Sequence, residues 1–149
     1  MKWGWIAFAV LLPSAAMAQQ PMDVTVVKGA CQAGSNRAGS PYSCDDAIFA
    51  FFDNANRHIM IQFDKKGDDS IPLLGFAGTM EDDGVTLDVD RIYLEPGKPQ
   101  AAEKSSCKLS FTKPASADAQ VDITGIACSG QVSGQSGAVE VVFKPAATQ

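Results

Sequence analysis

The chain has 149 residues, with 12 basic and 17 acidic side chains, one histidine, a formal net charge of −5 and a hydrophobic fraction of 46%. That length suits one domain able to bury a core of its own. The acidic balance excludes nucleic acid and anionic lipid surfaces as natural partners, because both demand a basic stripe.

Residues 1–18 read as a secretory signal peptide: Lys2, an apolar run over residues 3–12, the helix-breaking Pro13, and small residues at Ala16 and Ala18. The run is about half of what a bilayer span requires, so the segment is expected to be removed rather than to anchor the chain. Residues 19–149 are then a single exported domain, periplasmic or secreted, with 11 basic and 17 acidic residues and hence a net charge of −6.

Strand grammar fills most of that domain. Val24 and Val26 open an inward-facing set. Residues 48–52 are apolar on both parities, which suits a strand covered on both faces. A turn through Asp53, Asn54 and Asn56 leads to Ile59, Ile61 and Phe63, alternating with His58, Met60, Gln62 and Asp64 in the period-two pattern of a half-buried strand. The stretch therefore reads as a β-hairpin, and His58 as the outward residue that begins its second strand.

Leu74, Phe76 and Gly78 form the next inward set, followed by the tight-turn pair Asp83-Gly84. Val85, Leu87 and Val89 come next, and then Ile92 and Leu94 on the opposite parity, a switch that implies a β-bulge near Asp90 and Arg91. Cys107, Leu109 and Phe111 point inward. Val121 and Ile123 change parity to Ile126 and Cys128 across Thr124-Gly125, a second expected bulge, and Val139, Val141 and Phe143 close the pattern. Segments 32–43, 95–106 and 129–137, rich in Gly, Ser, Pro or charge, read as loops, and residues 144–149 as a disordered tail. The sum is an all-β domain, a small antiparallel sandwich or barrel of about eight short strands.

Four cysteines, Cys31, Cys44, Cys107 and Cys128, imply two disulfides in an oxidising compartment. The sequential pairing, Cys31 with Cys44 and Cys107 with Cys128, closes the most local loops, although spacing alone leaves the other two pairings open. Zinc suits the set badly, because no pair has C-x-x-C spacing and one histidine cannot complete the usual ligands.

Few residues invite chemistry. His58 has no acid or nucleophile at a spacing that forms a known catalytic motif. Ser136 in "GQSGA" lacks the second glycine and the strand-to-helix context of a nucleophile elbow. The acidic clusters around Asp68 and Asp69, and Glu81 to Asp83, match no EF-hand spacing and read as solvated turns, while Asp88 and Asp90 share one strand face. Neither a metal nor a cofactor is assigned. Tyr42, Tyr93 and Arg37 are the candidate binding residues, since tyrosine and arginine combine broad contact surfaces with polar ends.

The segment "YSCDDAIFAFFDN", residues 42–54, resembles bacterial periplasmic lysozyme inhibitors, in which a Tyr-x-Cys precedes a β-hairpin in a small disulfide-linked barrel. The likeness is confined to that segment. The Ser-Gly and Tyr of that family's later inhibitory loop have no counterpart here, so no residue roles carry over.

The sequence thus favours a non-enzymatic exported β domain that binds a protein or envelope component through its loops. A small periplasmic hydrolase using His58 with a carboxylate is the alternative, and it requires His58 in a concave pocket with an acid in reach. An eight-stranded outer-membrane barrel is the third reading, weakened by the short charged strands and the disulfides.

Overall fold

The computed structural model describes residues 21–55, 57–67, 73–113, 116 and 121–147. The expected signal segment and Asn56, Asp68 and Asp69 lie outside the described residues. The described residues form ten strands and no helix: β1 (Asp23–Cys31), β2 (Asn36–Arg37), β3 (Ser40–Pro41), β4 (Asp46–Phe51), β5 (His58–Asp64), β6 (Leu74–Met80), β7 (Thr86–Tyr93), β8 (Pro99–Phe111), β9 (Ile123–Val132) and β10 (Val139–Pro145). Neighbours pair antiparallel in the order β1-β4-β5-β6-β7-β8-β9-β10, and β1 pairs with β10. Eight strands therefore close on themselves. The architecture is a barrel rather than a sandwich, with the small β2–β3 hairpin laid against β10 where Glu140 faces Asn36.

The alternation of the sequence decides what fills it. Ile59, Ile61 and Phe63 of β5, Leu74 and Phe76 of β6, Leu87 and Val89 of β7, and Val139, Val141 and Phe143 of β10 all point inward and are buried. Phe63 is fully buried, edge-on to Phe76 at 6.1 Å between ring centres and tilted against Phe143 at 5.8 Å. An eight-stranded barrel is just wide enough for side chains to occupy its interior. An apolar inside with charged Lys108, Glu140 and Lys144 outside is the reverse of the membrane-barrel pattern.

Both disulfides join the pairs favoured by spacing, Cys31 to Cys44 and Cys107 to Cys128. The second ties directly opposed residues of β8 and β9 on the inner face. Both expected bulges are present. Asp90 is the extra residue between Val89 and Arg91, and Thr124 the extra one between Ile123 and Gly125. A third, at Lys104 and Ser105, carries Lys104 at a left-handed φ of 48°. It is pinned by the buried Ser105 hydroxyl, which donates to the Glu103 carbonyl and accepts from the Gln131 amide.

Several sequence expectations need correction. Val24 and Val26 face outward, 51% and 49% exposed, while Val27, Gly29 and Cys31 take the inner side. The reason is Gly29: a Cβ there would lie 2.7 Å from the Phe143 ring, so the core occupies the space its missing side chain leaves. Phe111 and Val121 are exposed at the end of the barrel where the Thr124 bulge shifts the pairing. Residues 99–106 are the first half of β8 rather than loop, and residues 129–132 complete β9, because each is held by ladder pairing that outweighs its polar composition. Segment 32–43 contains β2 and β3, fastened where the Ser35 hydroxyl accepts from the Val142 amide at 3.1 Å. Lys144 and Pro145, expected in a loose tail, end β10.

Candidate functional site

With the interior packed by side chains, the outer wall is where a concave surface is built. The register aligns outward residues in rows across the strands. One row runs Val24, Ala50, Met60, Ala77, Arg91 and Ala101, from β1 to β8. The adjacent row runs Val26, Ile48, Gln62, Gly75, Tyr93 and Pro99. The two rows make an apolar band with its smallest side chains, Gly75 and Ala77, on β6. The opposite wall is mostly polar, with Ser106, Lys108, Ser129, Gln131, Glu140 and Lys144 exposed.

Small residues on β6 between larger ones on β5 and β7 produce a cleft of about 350 Å³, lined by Phe52, His58, Met60, Ala77, Arg91, Tyr93, Gly97 and Pro99. Ala77 forms the floor and is 6% exposed despite facing outward. At Gly75 a Cβ would come within 2.9 Å of Met60 Cε and 3.2 Å of Tyr93 Cβ, which shows how closely the two side chains lean together beside the floor.

Each wall has a local cause. The β4–β5 turn is held by Asp53, whose carboxylate accepts the backbone amides of Arg57 at 3.0 Å and His58 at 3.1 Å. The Arg57 amide bond, then that of His58, keeps this carboxyl below its usual range. The Phe52 amide donates to the His58 carbonyl, and the two rings meet at 5.8 Å with a 51° tilt. On the far side the turn after β7 is fixed by the Lys98 amide donating to the Glu95 carbonyl and by the Lys98–Glu95 ion pair, with Gly97 at φ 70°. That turn carries Gly97 and Pro99 to the rim.

Arg91 owes its direction to the bulge. The extra residue Asp90 places both Asp90 and Arg91 on the outer side before Ile92 returns to the core. Among the described residues no carboxylate pairs with the Arg91 guanidinium. The cleft therefore combines two aromatic rings and an imidazole, a soft thioether and an unpaired cation, groups suited to recognition.

Of the three candidate binding residues from the sequence, Tyr42, Arg37 and Tyr93, only Tyr93 lies in this cleft. Tyr42 is buried, and its hydroxyl donates to the Phe63 carbonyl at 3.0 Å. Burial, then the charge of Asp64, pushes its ionisation well above the tyrosine range. The Arg37 guanidinium donates to the Leu94 carbonyl, while its Nε is buried with no hydrogen-bond partner. Both residues fasten the β2–β3 hairpin region to the rim of the barrel. His58 lines the cleft, yet among the described residues its imidazole makes no hydrogen bond, and the nearby Asp53 carboxylate is engaged by backbone amides. Asp83 is likewise engaged: it accepts from the Val85 and Thr86 amides and from the Thr86 hydroxyl, which donates at 2.6 Å and leads the effects lowering its pKa. Ser136 sits in the exposed turn between β9 and β10.

Sequence reasoning missed Met60, Ala77 and Arg91. Their outward parity was readable, but their convergence depends on pairing among three strands. Comparison of the chain with protein-family models, with curated proteins and with solved structures finds no match.

Proposed function

We propose that this chain is an exported binding domain that holds a protein partner against the outer wall of its barrel, centred on the β5–β7 cleft, without transforming it chemically. The observation that carries the reading is the covered, outward-facing Ala77 between Met60, Arg91 and Tyr93, in a band of small and apolar side chains reaching β1. A small floor residue flanked by a thioether, an aromatic ring and a guanidinium is the kind of surface on which a partner docks. Two disulfides support an oxidising compartment, in agreement with the expected signal segment. The engagement of the Asp53 carboxylate by backbone amides supports a binding rather than a catalytic role for the His58 region.

The test is site-specific photocrosslinking in the exporting cell. A photoreactive phenylalanine analogue at Met60 should give a discrete adduct, and the same group at Lys108 on the opposite wall should not. Adducts from neither position, or equally from both, would overturn the proposal.

A further inference from the structure

The chemistry of the cleft narrows what the partner presents, on the assumption that this cleft is the binding site. We infer that it takes a polypeptide segment in which an aromatic or branched aliphatic side chain stands next to a carboxylate. The apolar group packs on Ala77 between Met60 and Tyr93, and the carboxylate meets the Arg91 guanidinium.

Charge complementarity is the first support. Three other cations near this face are paired, Lys28 with Asp46, Arg57 with Asp82, and Lys98 with Glu95. Among the described residues, Arg91 at the cleft is left without a carboxylate, turned outward by a bulge that interrupts an otherwise regular ladder. The titratable groups beside it among the described residues include Asp90 and Asp88 of β7, both exposed, and His58 of β5 across the floor. A guanidinium can grip a carboxylate with two parallel hydrogen bonds, a geometry that a neutral ligand cannot match. The second support is size. The band continues from the cleft through Ala50 and Ile48 to Val24 and Val26. A ligand that filled the cleft alone would leave that continuation in water, whereas an extended chain covers both.

The probes are N-acetyl-phenylalanine, its primary amide, and a hexapeptide ending in phenylalanine with a free carboxyl group, each titrated while backbone amide resonances are followed by NMR. The acid should shift Ala77, Arg91 and Tyr93 with millimolar affinity. The amide should bind roughly tenfold more weakly or worse, as expected when a charged hydrogen bond is lost. Arg91→Met should abolish that preference, and Arg91→Lys should restore part of it. The hexapeptide should bind more tightly than the single residue and extend the shifts to Ala50 and Val24.

Equal binding of acid and amide, or a preference that survives Arg91→Met, would overturn the carboxylate inference while leaving the cleft as the binding site. A hexapeptide no better than the single residue, with no shift beyond the cleft, would overturn the polypeptide and identify a small organic acid as the ligand class. Shifts that map away from Ala77 and Tyr93 would instead remove the binding reading itself.

Discussion

Replacing Tyr42 by Phe removes one hydroxyl and nothing else, and its effect should change with pH in a way that identifies the buried hydrogen bond. At neutral pH the variant loses the bond to the Phe63 carbonyl, 3.0 Å long and inside the barrel rim. A buried hydrogen bond contributes about 1 kcal/mol net, and more if the abandoned carbonyl finds no other donor. Above pH 10 the comparison shifts. In the unfolded chain Tyr42 ionises near pH 10, whereas in the folded protein burial keeps it protonated well beyond that. A group whose folded pKa is raised contributes stability that is intact below the unfolded pKa and is lost as pH rises above it. The slope is about 1.4 kcal/mol per pH unit while the folded form holds its proton. By pH 11 the parent protein should therefore have lost about 1.4 kcal/mol that Tyr42→Phe cannot lose, because phenylalanine does not titrate. Tyr93 and the lysines are common to both proteins and cancel. Urea melts at pH 7 and pH 11 should show the variant less stable by about 1 kcal/mol at the lower pH, with the gap closed or reversed at the higher. A constant difference across that range would refute the placement of Tyr42 in a dry site.

Two substitution pairs test the wall of the barrel. Ile61→Ala, at a fully buried position, should cost about 2–5 kcal/mol in denaturant melts, whereas Met60→Ala on the outer face should cost about 1 kcal/mol or less; similar losses would mean the register is wrong. Gly78→Ala would place a Cβ 1.8 Å from the Asp88 carbonyl oxygen and should reach the upper end of the roughly 1–3 kcal/mol expected of overpacking. Gly125→Ala meets nothing nearer than 3.8 Å and should stay within about 0.5 kcal/mol of the parent, so equal melting of the two glycine variants would contradict the pairing of β6 with β7.

What the sequence disclosed follows from which physical terms are local. The inward faces of β5, β7 and β10 were legible because alternation records burial directly, and parity breaks at Asp90 and Thr124 located two bulges. β1 was misread because its inner side is marked by Gly29, and an absent side chain gives no apolar signal, while exposed Val24 and Val26 give a false one. The first half of β8 was misread because long-range ladder pairing can hold a polar stretch extended. Tyr42 looked like a loop-borne recognition residue, but the carbonyl that receives its hydroxyl belongs to Phe63, a partner no local pattern specifies. The cleft was the least legible feature. Met60, Ala77 and Arg91 come from three strands, and their proximity exists only once those strands are in register.

The seam between β1 and β10 has a consequence for how the molecule comes to exist. Each consecutive pair from β4 to β10 can zip up as a neighbouring hairpin, but Gly29 meets Pro145 and Cys31 meets Phe143 only after the whole intervening chain has been threaded out and ordered. Loop-closure entropy grows with the length enclosed, so this final docking bears the largest entropic penalty of any strand pairing in the molecule. Until it occurs, the nascent sheet ends in two rows of unpaired backbone groups, one on β1 and one on the last strand formed, and such edges are templates for pairing with other chains. A chain truncated before Val139 would keep those edges permanently, so its characteristic failure should be concentration-dependent self-association of a half-built sheet rather than a simple drop in melting temperature.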